Sequence, residues 1–185
     1  SKMTMPSAAN RMLPNAKMTL GLLNMTGRGR TLILRYPHGP AAHPTESHML
    51  ITRRIELSSS HVCALPDATP EENRRLYGEA ANPHGHGHNY VLEVSISGAP
   101  DPVTGMIVDL KDIKEILNRT VVDPMDHRHL NFEVPPFDRV VPTLENVAVE
   151  IWNRLVPEFA DGAKGKLHQV RLYETEDLYV EYQGQ

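Results

Sequence analysis

Five residues near the middle of the chain, His84-Gly85-His86-Gly87-His88, carry the densest run of metal-binding groups in the sequence. In an extended strand, residues i and i+2 project to the same face, so His86 and His88 can address one ion. Gly87 between them leaves the other face free of bulk, so another backbone can come close there. Two imidazoles do not complete a site. Structural zinc takes four protein ligands, and catalytic zinc takes three plus an open position. His61 is the natural third ligand, because it follows a segment that can pair beside the strand beginning at His86. Three neutral imidazoles with an open position favour zinc, although iron and copper also suit imidazole. Taken alone, the pattern fits a weak surface patch as readily as a catalytic centre, because the chain holds 10 histidines. His84 reads as a flanking loop residue.

The elements that must position these groups can be read from periodicity. Residues 49–58 partly alternate, with Ile51, Arg53, Ile55 and Leu57 on one face, which predicts a strand ending just before His61. Thr69, Pro70 and Glu72 form a capping-box signature with proline at the first helical position, and Gly78 supplies the stop. From His86 the parity is clear: His86, His88, Tyr90, Leu92, Val94 and Ile96 share one face. Asp109 can cap a helix carrying Ile113, Ile116 and Leu117, with Asp123-Pro124 ending it or lying just beyond. A second main helix begins at Thr143 with Leu144, Val147, Ile151 and Leu155 at helical spacing. Residues 167–183 alternate as a hairpin. The order β–β–α–α–β–β predicts an α+β domain: a four-stranded antiparallel sheet with two helices packed on one face.

Composition narrows the class. The chain has 185 residues, room for one ordinary domain. The net charge of −4 argues against a general nucleic-acid binder. No run approaches the roughly 18 apolar residues of a membrane span. The single cysteine, Cys63, rules out an intrachain disulfide framework and fits a reducing compartment such as the cytoplasm. Residues 1–48 hold six Lys or Arg but a single acid, Glu46. They read as a flexible N-terminal extension, with an organelle-targeting segment as the alternative. The folded domain is expected over 49–185.

Several blocks now fall into place together. The segments SSSH around His61, GEAANPHGHGHNY, DPVTGMIVDLKDIK, PMDHRHLN, VVPTLENVAVEIW and RLYETE resemble those of the 6-pyruvoyl-tetrahydropterin synthase family, in the family's order and across 49–185. The resemblance is closer to the pyruvoyl branch than to the 6-carboxy-tetrahydropterin branch. It implies the tunnelling fold, in which subunit sheets join into an oligomeric barrel, commonly a homohexamer of two trimers. It implies a zinc-dependent lyase of tetrahydrobiopterin biosynthesis. The substrate would be 7,8-dihydroneopterin triphosphate, and the products 6-pyruvoyl-tetrahydropterin and triphosphate. It further implies zinc on His61, His86 and His88, Asp126 and His127 as a proton-shuttling pair, and Glu174 as the anchor of the pterin ring. Thr143 and Glu145 match positions lining the pterin pocket; they also suit a helix cap and a first-turn acid.

One position departs from the family. Where the pyruvoyl branch has a catalytic cysteine, this chain has Ala80, which cannot move a proton. Three explanations stand: an introduced Cys→Ala exchange that traps substrate, a different base such as Glu79 or Cys63, or a pterin-binding relative with altered activity. Such an activity would be 6-carboxy-tetrahydropterin synthesis or side-chain cleavage. Candidates for the triphosphate, by charge alone, are Arg53, Arg54, Arg74 and Arg75.

Overall fold

A computed structural model describes residues 49–163 and 165–184. The extension expected over 1–48 lies outside the described residues. Five strands form one sheet in the order β3-β1-β2-β4-β5. β1 (Met49–His61), β2 (His86–Gly98), β4 (Lys166–Tyr173) and β5 (Tyr179–Tyr182) are mutually antiparallel neighbours. β3 (Arg128–His129) runs parallel to β1 at Ser59 and Ser60. The sheet is therefore five-stranded and mixed, not the four-stranded antiparallel sheet expected. The extra strand is two residues long and polar, and it carries no alternation to reveal it.

The helices are α1 (Pro70–Tyr77), α2 (Leu110–Leu117), the short α3 (Asp123–Met125) and α4 (Leu130–Glu133), and α5 (Leu144–Leu155). α1 has the predicted capping box: the Thr69 hydroxyl accepts from the Glu72 N–H, and the Thr69 N–H donates back to the Glu72 carboxylate at 2.8 Å. Asp109 caps α2 by accepting the Lys111 N–H at 2.8 Å. The helical run does not stop at Asp123-Pro124. It widens through Asn118–Val122, where the Asp123 N–H reaches back five residues to the Asn118 carbonyl. That wide turn admits Pro124, which has no N–H to place, at the start of the next helical turn.

One face of the sheet is covered. Tyr90, Leu92, Val94 and Ile96 of β2 and Val170 and Leu172 of β4 are buried in one cluster with Ile113, Ile116 and Leu117 of α2 and Val147, Ala148, Ile151 and Leu155 of α5. Each Val, Leu or Ile among them contributes about 1.5–3 kcal/mol on leaving water. The opposite face carries Arg54, Glu56, Glu93, Arg171 and Glu181. Among the described residues, no helix is long and apolar enough to cross a membrane.

Candidate active site

β1 and β2 carry the three histidines to one place. The strand continues to His61 itself, past the predicted end, and sets it opposite His86, with His88 opposite Ser59. Parity puts all three on the helix-covered face. Their ligand atoms lie within 4.8 Å of one another, and the ring centroids are 4.4, 5.2 and 5.0 Å apart. Gly87 is what the pairing needs: a Cβ there would stand 3.0 Å from the Ser59 carbonyl oxygen. Gly85, at φ +74°, lies against the His61 carbonyl and the His129 ring in the same way.

The donor set fits a metal ion. His61 Nε2, His86 Nδ1 and His88 Nε2 are buried without a hydrogen-bond partner. Buried polar atoms are rarely left so, and a cation is one group that would satisfy them. His61 Nδ1 lies 2.6 Å from the Pro142 carbonyl oxygen, which can only accept. That contact puts the proton on Nδ1 and leaves the Nε2 lone pair free, as is usual for a metal-binding imidazole whose other nitrogen bonds a carbonyl. Burial pushes the His61 pKa down from 6.5 to about 4, opposed by the Pro142 carbonyl and assisted by His86, His88 and His129. The ring is therefore neutral and ready to donate at neutral pH.

Glu174 stands next to the triad. It follows the end of β4, where its N–H donates to the Leu178 carbonyl at 2.9 Å. Its Oε1 lies 3.1 Å from His88 Nε2, a close approach whose angle does not make a hydrogen bond. Burial lowers the His88 pKa, against the pull of this carboxylate.

Asp126 and His127 form the predicted pair, with Asp126 Oδ2 2.8 Å from His127 Nδ1. Asp126 Oδ1 accepts the Ser58 N–H at 2.7 Å, and the His127 N–H donates to the Ser58 carbonyl at 2.6 Å. Chiefly through that Ser58 N–H, and also through His127, the carboxyl is held below its usual pKa. His127 adopts φ +56° and is 82% exposed. Among the described residues, no hydrogen bond, ion pair or ring contact joins it to the triad.

The remaining predicted residues are placed as follows. Thr143 caps α5, accepting the Asn146 N–H at 3.4 Å. Glu145 is exposed in the first turn of α5. This loop is tied to the histidine triad through Pro142, the residue before Thr143, whose carbonyl meets His61. Ala80 is half-buried in a tight turn, Gly78–Ala81, and its carbonyl accepts the Cys63 N–H at 2.9 Å. The arginines do not form one cluster: Arg53 faces the covered side of the sheet and Arg54 the open side, while Arg74 on α1 pairs with Glu79 at 3.2 Å.

Three contributors were not predicted. The Pro142 carbonyl orients His61. Asn131 clamps the backbone just beyond His61, accepting the Val62 N–H at 2.8 Å and donating to the Val62 carbonyl at 3.0 Å. Tyr90 lies one step further along the histidine face, 5.5 Å from the His88 ring, with a buried and unpartnered hydroxyl. Asn131 ends the PMDHRHLN block and Tyr90 ends HGHNY, so both sat in segments already singled out.

Comparisons with known proteins agree with this geometry. The family model described as 6-pyruvoyl tetrahydropterin synthase matches residues 50–185. The chain is 42% identical over 135 residues to the Homo sapiens 6-pyruvoyl tetrahydrobiopterin synthase, covering 73% of this chain and 91% of the relative. It is 41% identical over 137 residues to the Dictyostelium discoideum protein of the same name, covering 74% and 97%. The solved structure of Caenorhabditis elegans 6-pyruvoyl tetrahydropterin synthase superposes with a TM-score of 0.70 at 31% identity, covering 75% of this chain and 96% of that one. The chain belongs to the 6-pyruvoyl tetrahydropterin synthase family.

Proposed function

We propose that this protein is a zinc-dependent 6-pyruvoyl-tetrahydropterin synthase, acting on 7,8-dihydroneopterin triphosphate in tetrahydrobiopterin biosynthesis. The observation that carries the reading is the buried trio of unpartnered imidazole nitrogens on His61, His86 and His88, with the Glu174 carboxylate beside them. Zinc bound there would supply Lewis acidity toward the hydroxyls of the substrate side chain.

The protein's own groups would divide the remaining work. Glu174 would accept two parallel hydrogen bonds from the N–H and amino groups of the pterin ring. Thr143 and Glu145 would line the ring's pocket from the start of α5. The ionised Asp126 holds His127 in one tautomer and supports its protonated form, which suits a proton shuttle. Loss of triphosphate breaks one C–O bond and removes one proton from the neighbouring carbon. Further proton shifts then oxidise the side chain as they reduce the ring, so no external redox partner is needed.

We assign the working form as a homo-oligomer, a hexamer of two trimers as the family resemblance implies. Two features support an assembly: both edges of the sheet are open among the described residues, and His127 is exposed within one chain. Residues 1–48 are read as an extension to the domain over 49–185, and the location as cytoplasmic.

Ala80 favours a second reading, a pterin-binding relative or one with altered activity. The deciding experiment follows triphosphate release from 7,8-dihydroneopterin triphosphate with zinc present, for the chain as given and for Ala80→Cys. Release by either supports the synthase. Silence from both rejects it. Pterin binding that then disappears in Glu174→Ala would leave the binding reading standing, and binding unaffected by Glu174→Ala would remove that as well.

A further inference from the structure

Tyr90 carries a hydroxyl that the fold encloses and leaves without a hydrogen-bond partner among the described residues. The residue is 1% exposed and sits on β2, on the helix-covered face that also bears His86 and His88. A buried phenol usually finds a partner for its O–H. On one side of Tyr90 lies Leu57 of β1, which offers none. On the other side, β2 and β4 pair Leu92 with Leu172 and Val91 with Tyr173. One step further in the same register sets Glu174 beside Tyr90 on the same face. Residues directly opposite in such a pair hold their Cβ atoms about 4.5–5.5 Å apart. Burial first, then the charges of Glu174 and Cys63, push the Tyr90 pKa up, so the phenol keeps its proton.

Glu174 has the complementary deficit. Its side chain is 18% exposed, yet its carboxylate accepts no hydrogen bond among the described residues. Oε1 comes within 3.1 Å of His88 Nε2, at an angle that makes no bond. On the metal reading that nitrogen gives its lone pair to an ion and has no proton for the carboxylate. Two acceptors then face each other. An ionised carboxylate so largely withdrawn from water needs donors or a cation. Two moves would satisfy it. It can shift onto the ion, where it is lost to the pterin, or turn to the O–H of its cross-strand neighbour.

We propose that Tyr90 is the positioning residue of the pterin anchor, its hydroxyl donating a hydrogen bond to the Glu174 carboxylate in the metal-loaded protein. This rests on Glu174 as the anchor of the ring. One bond then satisfies two deficits, the orphaned O–H and the bare carboxylate. It is charge-assisted, the stronger kind. A carboxylate has about four lone-pair sites, so one given to Tyr90 leaves both oxygens able to accept from the ring N–H and amino group. The bond also fixes the rotation of the carboxylate and holds it off the ion. The two parallel acceptors are therefore set before the ring arrives, which lowers the cost of binding it.

A double-mutant cycle on ligand binding tests this. The chain as given, Tyr90→Phe, Glu174→Ala and the double variant are loaded with zinc and titrated with neopterin by calorimetry. Tyr90→Phe should weaken neopterin about tenfold, as the loss of a charge-assisted bond does. In the Glu174→Ala background the same exchange should change affinity by less than about twofold, because the phenol acts only through the carboxylate. An equal loss in both backgrounds overturns the proposal. So does an unchanged affinity in Tyr90→Phe while Glu174→Ala loses neopterin. An affinity unaffected by Glu174→Ala overturns the anchor reading itself, and the proposal with it. A second readout is thermal melting without metal or ligand. There the hydroxyl has no partner to lose, so Tyr90→Phe should melt with its parent or above it. A fall of more than about 4 °C would make the hydroxyl a structural bond of the metal-free fold and also overturn the proposal.

Discussion

The backbone N–H of Cys63 donates to the carbonyl of Ala80 at 2.9 Å, joining the segment that leaves β1 just after His61 to the turn that holds position 80. Ala80 is half-buried there, so a thiol at position 80 would enter a site whose backbone is already held. Ala80→Cys is expected to raise the rate of triphosphate release by about 10²–10⁴-fold, the usual contribution of a positioned acid–base group. The gain should fall in kcat rather than KM. Cys63 is a poor substitute. Burial first, then Glu174 and Glu145, push its thiol pKa up, so it stays protonated near neutral pH. Cys63→Ser in the Ala80→Cys background should therefore keep most of the gain, as steady-state kinetics would show.

Glu174 can be tested apart from turnover. It reaches the triad at His88, where its carboxylate stands beside the three imidazoles. Glu174→Gln keeps the shape but replaces a charged double acceptor with a mixed amide. Affinity for a pterin such as neopterin should fall about 10–100-fold, the loss expected for a charge-assisted pair. Calorimetric titration measures it. Metal content should be retained, because the three imidazoles are untouched. Loss of zinc from Glu174→Gln would instead make this carboxylate part of the metal site.

Asp126→Asn separates orientation from charge. The amide oxygen can still accept the Ser58 N–H that now holds the carboxylate, so thermal stability should change little. What is lost is the negative charge beside His127 Nδ1. In the Ala80→Cys enzyme, kcat should drop by about 10²–10⁴-fold with KM nearly unchanged. A variant as active as its parent would remove the pair from the mechanism.

Local patterns were legible where burial wrote them into the sequence. β2 alternates because one of its faces is buried, and α1 announces itself through Thr69, Pro70 and Glu72. The histidine cluster was legible for the same reason, as histidines at strand spacing. The end of β1 was not. Ser58-Ser59-Ser60 carries no apolar signal, and the strand continues because Ser59 is buried with its hydroxyl donating to the Met125 carbonyl at 2.7 Å. β3 was invisible because it is two polar residues set beside β1 by bonds at Ser58, whose carbonyl accepts the His127 N–H and whose N–H donates to the Asp126 carboxylate, and not by side-chain periodicity. The carbonyl of Pro142 could not be found either, since its role lies in a main-chain atom that no residue type encodes.

Acid should act on this fold through His61. Its pKa lies at about 4 in the fold and 6.5 outside it. Between those values the unfolded chain binds a proton that the folded chain refuses, so unfolding gains as pH falls through the window. The contribution of His61 is fully present above pH 6.5 and is lost by about pH 4, amounting to at most about 3 kcal/mol in metal-free protein. Urea unfolding with a chelator present, at pH 7.5 and 4.5, measures the difference. His61→Asn should flatten it by about 2–3 kcal/mol, whatever other groups titrate. Metal binding should weaken over the same range, because each proton taken by the triad competes with the ion. If His61→Asn shows the same pH dependence as its parent, the acid sensitivity belongs to another group.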